Sequence, residues 1–276
     1  MQSSTTIREA LFIKSLSLIP KHEKIELLSY LTQLESKQLY FHLEDKLTET
    51  LHKEYLQLAE KLLAGHPLQY LTSRAYFYGL DFYVDANVLI PRPETEVMVD
   101  YVITNHVDSK HILDLGTGSA AIAVALAHNL PEAEITAVDI CSQALEVARQ
   151  NAQAYKNINL LESDLLTNVS NTQFDVICAN LPYIGTHKFS GVDSNVSKFE
   201  PKKALFAGED GLDLYRRLFV QIHNKGIQFK ELIIELADRQ YSTAYKLAHS
   251  LFPNCHLQAM NDLNGTKRFL KIKSQS

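Results

Sequence analysis

Short apolar runs and segments with helical spacing alternate through the second half of the chain. The apolar runs predict five strands, at residues 111–115, 134–140, 158–162, 174–179 and 232–236. The segments between them predict helices at residues 120–129, 143–154 and 212–223. Because strands that alternate with helices of this length form a mostly parallel sheet covered on both faces, the pattern predicts an α/β fold.

The end of the chain follows a different pattern. Residues 256–260 and 268–272 are two strand-like runs, and the short segment between them contains the turn-forming pair Asn264 and Gly265. A connection this short joins antiparallel strands, whereas parallel strands need a long crossover. We therefore expect an antiparallel strand at the end of the sheet.

The first part of the chain reads as helical. Leucine and isoleucine recur at helical spacing through the first 65 residues, and Gly65 and Pro67 follow in the order typical of a helix end. Eight Lys or Arg oppose nine Asp or Glu there, so a basic nucleic-acid-binding arm is not indicated. Aromatic residues on both sides of Gly79, within residues 75–90, predict a β-hairpin.

Composition and charge exclude several classes of protein. The longest apolar run, residues 120–127, has eight residues, whereas a membrane span needs about 20. No signal-peptide pattern opens the chain, so we expect a cytoplasmic protein without membrane association. Three widely spaced cysteines indicate neither a disulfide framework nor a metal site. A net charge of −5 argues against stable nucleic-acid binding through phosphate neutralisation.

A glycine loop after the first strand of the α/β region carries the first candidate chemistry. Gly116 and Gly118 permit a tight turn and a close approach of the backbone to a ligand. Asp139 ends the next predicted strand, where a carboxylate can accept the hydroxyls of a ribose. A dinucleotide site would carry a third glycine where Ala121 stands, and Asp114 suits a cationic group or the loop's own amides. These features favour S-adenosylmethionine over NAD.

The segment Asn180-Leu181-Pro182-Tyr183 follows the fourth of these strands and decides the class of chemistry. An asparagine carbonyl and the next backbone carbonyl can accept two N–H bonds of an amide or aryl-amine nitrogen, which directs its lone pair at a methyl donor. Proline stiffens this loop, and tyrosine offers a flat face to a planar group. The pattern predicts methyl transfer to such a nitrogen.

The chain resembles the peptide-chain release factor glutamine methyltransferases, the HemK or PrmC-like family, over essentially its whole length. Residues 91–96, Pro-Arg-Pro-Glu-Thr-Glu, are the most specific match. The other matching segments are residues 66–71, 89–90, 114–120, 174–175, 180–183, 200–201, 204–205 and 208–212.

The resemblance implies a class I S-adenosylmethionine-dependent methyltransferase fold, with a mostly parallel seven-stranded sheet whose last strand is antiparallel. It implies a helical substrate-recognition domain at residues 1–73, a β-hairpin linker at 74–90 and a methyltransferase domain at 91–276. The implied reaction is methylation of the side-chain amide nitrogen of the glutamine in the Gly-Gly-Gln motif of class 1 release factors. We expect a monomer.

Site residues carried over from the family fall into three groups. The implied cofactor-binding residues are Gly116, Thr117, Gly118, Ser119, Ala120, Asp139, Asp164, Leu165 and Asn180. The implied substrate-binding residues are Asn180, Leu181, Pro182 and Tyr183, of which Asn180, Pro182 and Tyr183 are the catalytic ones.

Two positions depart from the family pattern, and two other functions stay open. Ala120 stands where the family usually has glycine, so its methyl group is expected to crowd the methionine end of the cofactor. Leu181 stands where the family usually has proline, at some loss of loop rigidity.

Because Asn-Leu-Pro-Tyr also occurs in adenine N6 methyltransferases, the alternative substrate is RNA or DNA. A cofactor-binding subunit without catalysis is the third reading. Arg92, Glu94 and Glu96 are expected either to line the substrate entrance or to cap the helix after Pro93.

Overall fold

The computed structural model describes residues 5–185 and 198–275. The chain divides into two compact units, Met1–Arg74 and Ala75–Ser276. Each unit has its own cluster of buried apolar side chains.

The first unit is helical, as predicted. Its helices are α1 (Ile7–Leu11), α2 (Lys21–Thr32), α3 (Glu49–Leu63) and α4 (Leu68–Thr72), with 3₁₀ turns at Lys14–Leu16 and Gln38–Phe41. Thr6 and Thr48 cap α1 and α3 by accepting a backbone N–H three residues on, which satisfies a donor that the helix leaves free. The apolar faces meet around Leu27, Leu28 and Tyr55, which are fully buried.

The second unit begins with a hairpin. Strands β1 (Arg74–Phe77) and β2 (Leu80–Tyr83) form a two-stranded sheet. Tyr78 and Gly79, the two residues between them, both have positive φ, of 50° and 76°. That pair of conformations is a type I′ turn, whose twist matches the flanking strands.

A seven-stranded sheet with helices along the chain between its strands forms the rest of this unit. The strands are β3 (His111–Leu115), β4 (Glu134–Asp139), β5 (Ile158–Glu162), β6 (Gln173–Ala179), β7 (Gln228–Glu235), β8 (His256–Asn261) and β9 (Lys267–Lys273). The helices are α5 (Glu96–Asn105), α6 (Ala121–Asn129), α7 (Ser142–Ala152), α8 (Asp213–Lys225) and α9 (Tyr241–Leu251). A 3₁₀ turn, Pro93–Thr95, leads into α5.

Strand order places the site. The order is β5-β4-β3-β6-β7-β9-β8, parallel from β5 to β7, and β9 runs antiparallel to both of its neighbours. This confirms the predicted class I methyltransferase sheet with an antiparallel last strand. The chain moves outward from β3 through β4 to β5 and then returns to β6 on the other side of β3. The gap beyond the ends of β3 and β6 is therefore the topological switch point, where open α/β sheets bind ligands.

The structure also differs from the predicted elements in places. Strand β7 begins at Gln228, four residues before the predicted start. Its first residues alternate between exposed and partly buried positions, so they form no apolar run that would indicate a strand. Helix α9 was not predicted. Its buried positions are Ala244 and Ala248, and alanines give a weak apolar signal at helical spacing.

Candidate active site

The carboxyl ends of four neighbouring strands bring the predicted site residues to one edge of the sheet. Leu115 of β3 lies in register with Val138 of β4 and with Ala179 of β6. The residues that follow, Gly116, Asp139 and Asn180, therefore emerge at the same level. Two motifs separated by more than 60 residues thus meet at the switch point, as the sequence predicts.

The glycine loop is hydrogen-bonded to the neighbouring strand β4 and to the buried side chain of Asp114. The N–H groups of Gly116 and Thr117 both donate to the carbonyl oxygen of Val138, at 2.8 and 2.9 Å. The Thr117 hydroxyl donates to Oδ2 of Asp114 at 2.6 Å. Complete burial raises the pKa of Asp114 to about 7, against the lowering effect of that hydrogen bond. Asp114 thus supports the loop through the Thr117 hydroxyl, whereas the sequence predicted the loop's amides or a cationic group as its partner.

Asp139 ends β4 beside this loop. Its Oδ2 accepts from the N–H of Gly118 and its Oδ1 from the N–H of Cys141, both at 2.9 Å. Burial raises the pKa of Asp139, and these backbone donors oppose the rise. Each carboxylate oxygen has more than one lone pair, so both can accept a further hydrogen bond from a ribose hydroxyl.

The loop leaves room for a ligand at Gly118. This residue has a φ of +54°, and a Cβ added to it would have no atom of the described residues within 4 Å beyond its chain neighbours. In the same loop, Oδ1 of Asp114 is buried without a hydrogen-bond partner among the described residues. Open space beside a glycine, a carboxylate on the next strand and an unsatisfied acid beneath fit an adenosine-containing, positively charged cofactor.

Ser119 and Ala120 close the loop against the rest of the unit. The carbonyl oxygen of Ser119 accepts from the side chain of Asn151, which also bonds the backbone of Tyr83 in the hairpin. Ala120 is fully buried and has a φ of +63°, at the start of α6. A left-handed conformation costs an alanine about 1–2 kcal/mol and costs glycine almost nothing. The structure thus gives a backbone reason for glycine at this position, where we expected a methyl group crowding the cofactor.

The segment after β5 approaches the same edge. The N–H of Ser163 donates to the carbonyl oxygen of Asp139 at 2.9 Å, which ties the two strand ends together. Asp164 forms an ion pair with Arg217 at 2.6 Å. Leu165 is buried with a φ of +52°, an unusual conformation for leucine. The backbone at Asp164 and Leu165, which the family resemblance assigns to the cofactor, is therefore shaped by this turn.

Asn180 and Leu181 are held by different partners. Nδ2 of Asn180 donates to Oγ1 of Thr95 at 3.1 Å. The N–H of Leu181 donates to the hydroxyl of Tyr215 at 3.3 Å, a bond that proline at this position would lack. The Leu181 side chain is buried, and a Cβ added to Gly116 would lie 2.9 Å from its Cδ2. The cofactor loop and the Asn180–Tyr183 segment are therefore in direct contact.

Tyr183 is fixed at both its hydroxyl and its carbonyl. The hydroxyl donates to Oε1 of Glu235 at 3.2 Å, and the carbonyl oxygen accepts from Nε2 of Gln240 at 2.6 Å. Burial raises the pKa of Tyr183 well above its ordinary value, so the hydroxyl remains a donor near neutral pH. Gly211 passes so close that a Cβ there would overlap the Tyr183 carbonyl oxygen, at 2.0 Å.

A cavity of about 170 Å³ lies beside these residues. Its lining residues are Leu89, Arg92, Asn180, Leu181, Tyr183, Ile184, Ala204 and Leu205. Arg92 forms an ion pair with the buried carboxylate of Glu200, which also accepts the N–H of Ile90. Arg92 therefore lines this cavity, and its role at a substrate entrance stays a prediction. Glu96, by contrast, accepts the N–H of Tyr78 at 2.9 Å.

A larger groove, of about 750 Å³, lies at the amino-terminal ends of the strands and contains none of the predicted site residues.

Thr95 and Glu235, which bond the side chains of Asn180 and Tyr183, were not predicted from the sequence. Thr95 lies in the Pro-Arg-Pro-Glu-Thr-Glu string, and Glu235 ends β7 beside Asn180. One signal could have indicated Glu235: this acid directly follows the apolar run 232–234, which places it at the end of a buried strand.

Within residues 5–185 and 198–275, no cluster of three or more His, Cys, Asp or Glu side chains is arranged to hold a metal ion. None of the helices in the same described ranges combines the length and the apolar character that crossing a membrane requires.

Comparison with known proteins identifies the family. Residues 14–72 match the model of the PrmC N-terminal domain, and residues 93–196 match that of the methyltransferase small domain. The release factor glutamine methyltransferase of Streptococcus pneumoniae is 36% identical over 262 residues, which cover 92% of this chain and 94% of that protein. The enzyme of the same name from Bacillus cereus is 36% identical over 241 residues, covering 84% of this chain and 85% of that protein.

Solved structures share the fold at lower identity. The human Mettl16 catalytic domain in complex with an RNA hairpin has a TM-score of 0.57 and 14% sequence identity, covering 90% of this chain and 93% of that chain. This likeness shows the fold alone. The identity to the bacterial enzymes extends over nearly the whole chain and includes the helical unit, so the chain belongs to the release factor glutamine methyltransferase family.

Proposed function

We propose that this protein transfers a methyl group from S-adenosylmethionine to the side-chain amide nitrogen of the glutamine in the Gly-Gly-Gln motif of class 1 release factors. The observation that carries the proposal is the 36% identity to a release factor glutamine methyltransferase over 92% of the chain. That identity is combined with an Asn180 carboxamide at the switch point beside the cofactor loop.

The residues that would hold S-adenosylmethionine are those of the loop 116–120, with Asp139 and the Asp164–Leu165 turn. When bound there, this cofactor supplies an electrophilic methyl group on a sulfonium. Asp139 would accept the ribose hydroxyls. The lack of a side chain at Gly118 would leave room for the ligand, and the unpartnered Oδ1 of Asp114 beneath the loop suits its positive charge.

Asn180 would orient the acceptor nitrogen. Its Nδ2 is bound to Thr95, so its Oδ1 is the atom left to accept an N–H from the glutamine carboxamide. The Leu181 carbonyl would accept the other N–H, and Pro182 would stiffen the backbone directly after it. An amide nitrogen is a weak nucleophile because its lone pair is delocalised, and holding both N–H bonds directs that lone pair at the methyl group.

The cavity beside Asn180 suits a glutamine side chain. Aliphatic walls formed by Leu89, Ile184 and Leu205 can contact its two methylenes, and the polar groups of Asn180 and Tyr183 can contact its carboxamide. The adenine alternative would need a protein surface for the nucleic-acid backbone, and the chain carries a net charge of −5. The family relation favours the glutamine.

The test is incubation of the purified protein with methyl-labelled S-adenosylmethionine and, in separate reactions, a bacterial class 1 release factor or RNA, followed by mass-spectrometric location of the label. We expect one methyl group on the Gly-Gly-Gln glutamine and none on a release factor in which that glutamine is replaced by alanine. Label on RNA, or on no release factor, would contradict the proposal.

Asn180→Ala provides the catalytic control. It should lower turnover by about 100-fold or more and affect cofactor affinity much less, because it removes orientation of the nitrogen and leaves the loop 116–120 intact. Wild-type turnover in this variant would contradict the role given to Asn180. The monomeric state, the cytoplasmic location and the lack of stable nucleic-acid binding stay predictions; gel filtration and electrophoretic shift assays test the first and the last.

A further inference from the structure

Three side chains form a hydrogen-bonded chain that starts at Asn180 and ends on a buried carboxyl group. Nδ2 of Asn180 donates to Oγ1 of Thr95 at 3.1 Å, and Oγ1 of Thr95 donates to Oε2 of Glu235 at 2.7 Å. The other carboxyl oxygen, Oε1, accepts from the hydroxyl of Tyr183 at 3.2 Å. Glu235 is 1% exposed and Thr95 3% exposed, so water does not substitute for these bonds.

The register of the sheet creates this arrangement. Ala179 of β6 pairs with Ile234 of β7, so the residues that follow them, Asn180 and Glu235, emerge side by side. Thr95 reaches the same point from the 3₁₀ turn Pro93–Thr95, just before α5. The Pro-Arg-Pro-Glu-Thr-Glu string therefore contributes a side chain directly to the catalytic segment.

The available donors and acceptors fix the direction of the hydrogen bonds from Asn180 through Thr95 to Glu235. A hydroxyl group has one proton, and that of Thr95 is directed at Glu235, so the Thr95 oxygen can accept from Asn180. An asparagine whose Nδ2 is bound in this way must present Oδ1 on its opposite side. Oδ1 is the atom that has to accept an N–H of the substrate nitrogen.

The direction depends on the charge of the carboxyl group. An ionised carboxylate only accepts hydrogen bonds, so it takes protons from both Thr95 and Tyr183. A protonated carboxyl group also donates, and a proton given to Thr95 would turn that hydroxyl toward Asn180 as a donor. The carboxamide of Asn180 would then gain by turning Oδ1 away from the substrate.

Resting on the proposed function, we infer that Glu235 and Thr95 are positioning residues that hold the Asn180 carboxamide with Oδ1 toward the substrate nitrogen. Neither residue has to touch the substrate or the cofactor for this role. Glu235 also fixes the Tyr183 ring through its hydroxyl, so one carboxylate orients both polar side chains of the catalytic segment.

The surroundings of Glu235 place its titration in the range of an activity assay. Burial raises the pKa of Glu235 to about 7, opposed by the bonds from Thr95 and Tyr183 and by the positive charge of Arg268 on β9. The negative charge of Glu94, in the turn before α5, adds to the rise. Tyr215 of α8 faces the backbone, since its hydroxyl donates to the Glu235 carbonyl oxygen. Activity should therefore increase as the pH rises through about 7 and Glu235 ionises.

The primary variants are Glu235→Gln, which keeps the size and removes the charge, and Thr95→Val, which keeps the shape and removes the hydroxyl. Both should lower kcat for release factor methylation by about 10- to 100-fold with unchanged cofactor affinity, because the loss is one of orientation. Thr95→Ser should restore activity, since serine supplies the same hydroxyl. Glu235→Gln should also lose the rise in activity around pH 7.

Glu231→Gln is the matched control. It removes a second buried carboxylate from the same strand, four residues before Glu235, where Glu231 bonds His106 and Tyr101. It should change stability and leave kcat and its pH profile as in the wild type. Asp114 also has a pKa raised to about 7. If the rise in activity around pH 7 persisted in Glu235→Gln and disappeared in Asp114→Asn, the assignment of that rise to Glu235 would be overturned.

A readout without substrate completes the test. In ¹⁵N-labelled protein, the side-chain amide signal of Asn180 should shift in Thr95→Val and in Glu235→Gln, and Thr95→Ser should keep the wild-type position. Wild-type kcat in folded Glu235→Gln and Thr95→Val, or a Thr95→Ser variant as impaired as Thr95→Val, would overturn the inference while leaving the proposed function intact. A wild-type protein that methylates no release factor would overturn both.

Discussion

The contact between the cofactor loop and the catalytic segment predicts a specific defect for Gly116→Ala. Gly116 has a φ of +73°, and a Cβ there would lie 2.9 Å from Cδ2 of Leu181 and 3.5 Å from the carbonyl oxygen of Asn180. Leu181 is 4% exposed, so its side chain cannot swing into solvent to make room. The new methyl group would push the catalytic segment away from the loop.

The magnitude follows from two separate costs. Alanine in a left-handed conformation costs about 1–2 kcal/mol. Inserting a methyl group into packed surroundings costs about 1–3 kcal/mol more. Gly118→Ala is the matched control, since Gly118 also has a positive φ, of +54°, but within residues 5–185 and 198–275 its added Cβ would meet no atom closer than 4 Å beyond its chain neighbours. It should lose only the first of the two amounts.

The free energy of unfolding of both variants is measured by urea unfolding followed by circular dichroism. The variant Leu181→Ala separates the backbone cost from the packing cost. In a Leu181→Ala background the clash is gone, so Gly116→Ala should cost only the backbone strain, and the double-mutant cycle should show a coupling of about 1 kcal/mol or more. In functional assays, Gly116→Ala should lower turnover, whereas Gly118→Ala should weaken S-adenosylmethionine binding in calorimetry. Equal losses of stability at the two glycines, or an additive cycle, would refute the reasoning.

Three further predictions concern the ribose contact, the helical unit and the buried charges. Asp139→Ala should weaken S-adenosylmethionine binding by about 2–3 kcal/mol in calorimetry, through loss of charge-assisted hydrogen bonds; unchanged affinity would contradict its role. Phe41, 88% exposed in the helical unit, should contact the release factor, so Phe41→Ser should lower kcat/KM for the intact factor by about tenfold but not for a Gly-Gly-Gln peptide. Leu263→Ser, equally exposed in the other unit, is its control, and equal effects of the two would count against a docking role. Glu231→Gln should destabilise the fold by about 1–3 kcal/mol at neutral pH. Although burial raises the pKa of Glu231, its bond to His106 brings the pKa below the ordinary value, so its stabilisation is present above that ordinary value and lost as pH falls below it. The variant should therefore lose less stability than the wild type when urea unfolding is compared at neutral and acidic pH.

Much of the fold could be predicted because its signals are local. Strands β3 to β6 are short apolar runs followed by turns, and the Asn264-Gly265 turn predicted the antiparallel pairing of β8 with β9. Helix α9 lacked such a signal, since alanines occupy its buried positions. The start of β7 lacked one as well, because Gln228 and Lys230 are polar and exposed.

The candidate site divides in the same way. The glycine loop and the Asn180–Tyr183 segment are contiguous in the chain, so their residue types alone indicate their chemistry. The partners of Asn180 are not contiguous, since Thr95 lies 85 residues away and the bond from Thr95 to Glu235 spans 140 residues. No pattern of spacing encodes these bonds, because they depend on the register between β6 and β7 and on the turn Pro93–Thr95 that brings Thr95 to the same point. The same holds for Ala120, whose departure from glycine is explained by a backbone angle that the sequence does not display.

The order of strands separates the two ligands and also couples them. The ends of β3, β4 and β5 carry the residues assigned to the cofactor, and the ends of β6 and β7 carry those assigned to the substrate nitrogen. The two groups meet between β3 and β6, where Gly116 lies against Leu181 with no room for a single methyl group. A displacement of the cofactor loop must therefore move the segment that contains Asn180, whereas the chain from Asn180 through Thr95 to Glu235 anchors that segment from the opposite side. Because methyl transfer requires the two reacting atoms to be aligned, a rigid anchor on one side and a close contact on the other is the arrangement that keeps that alignment when either ligand binds first.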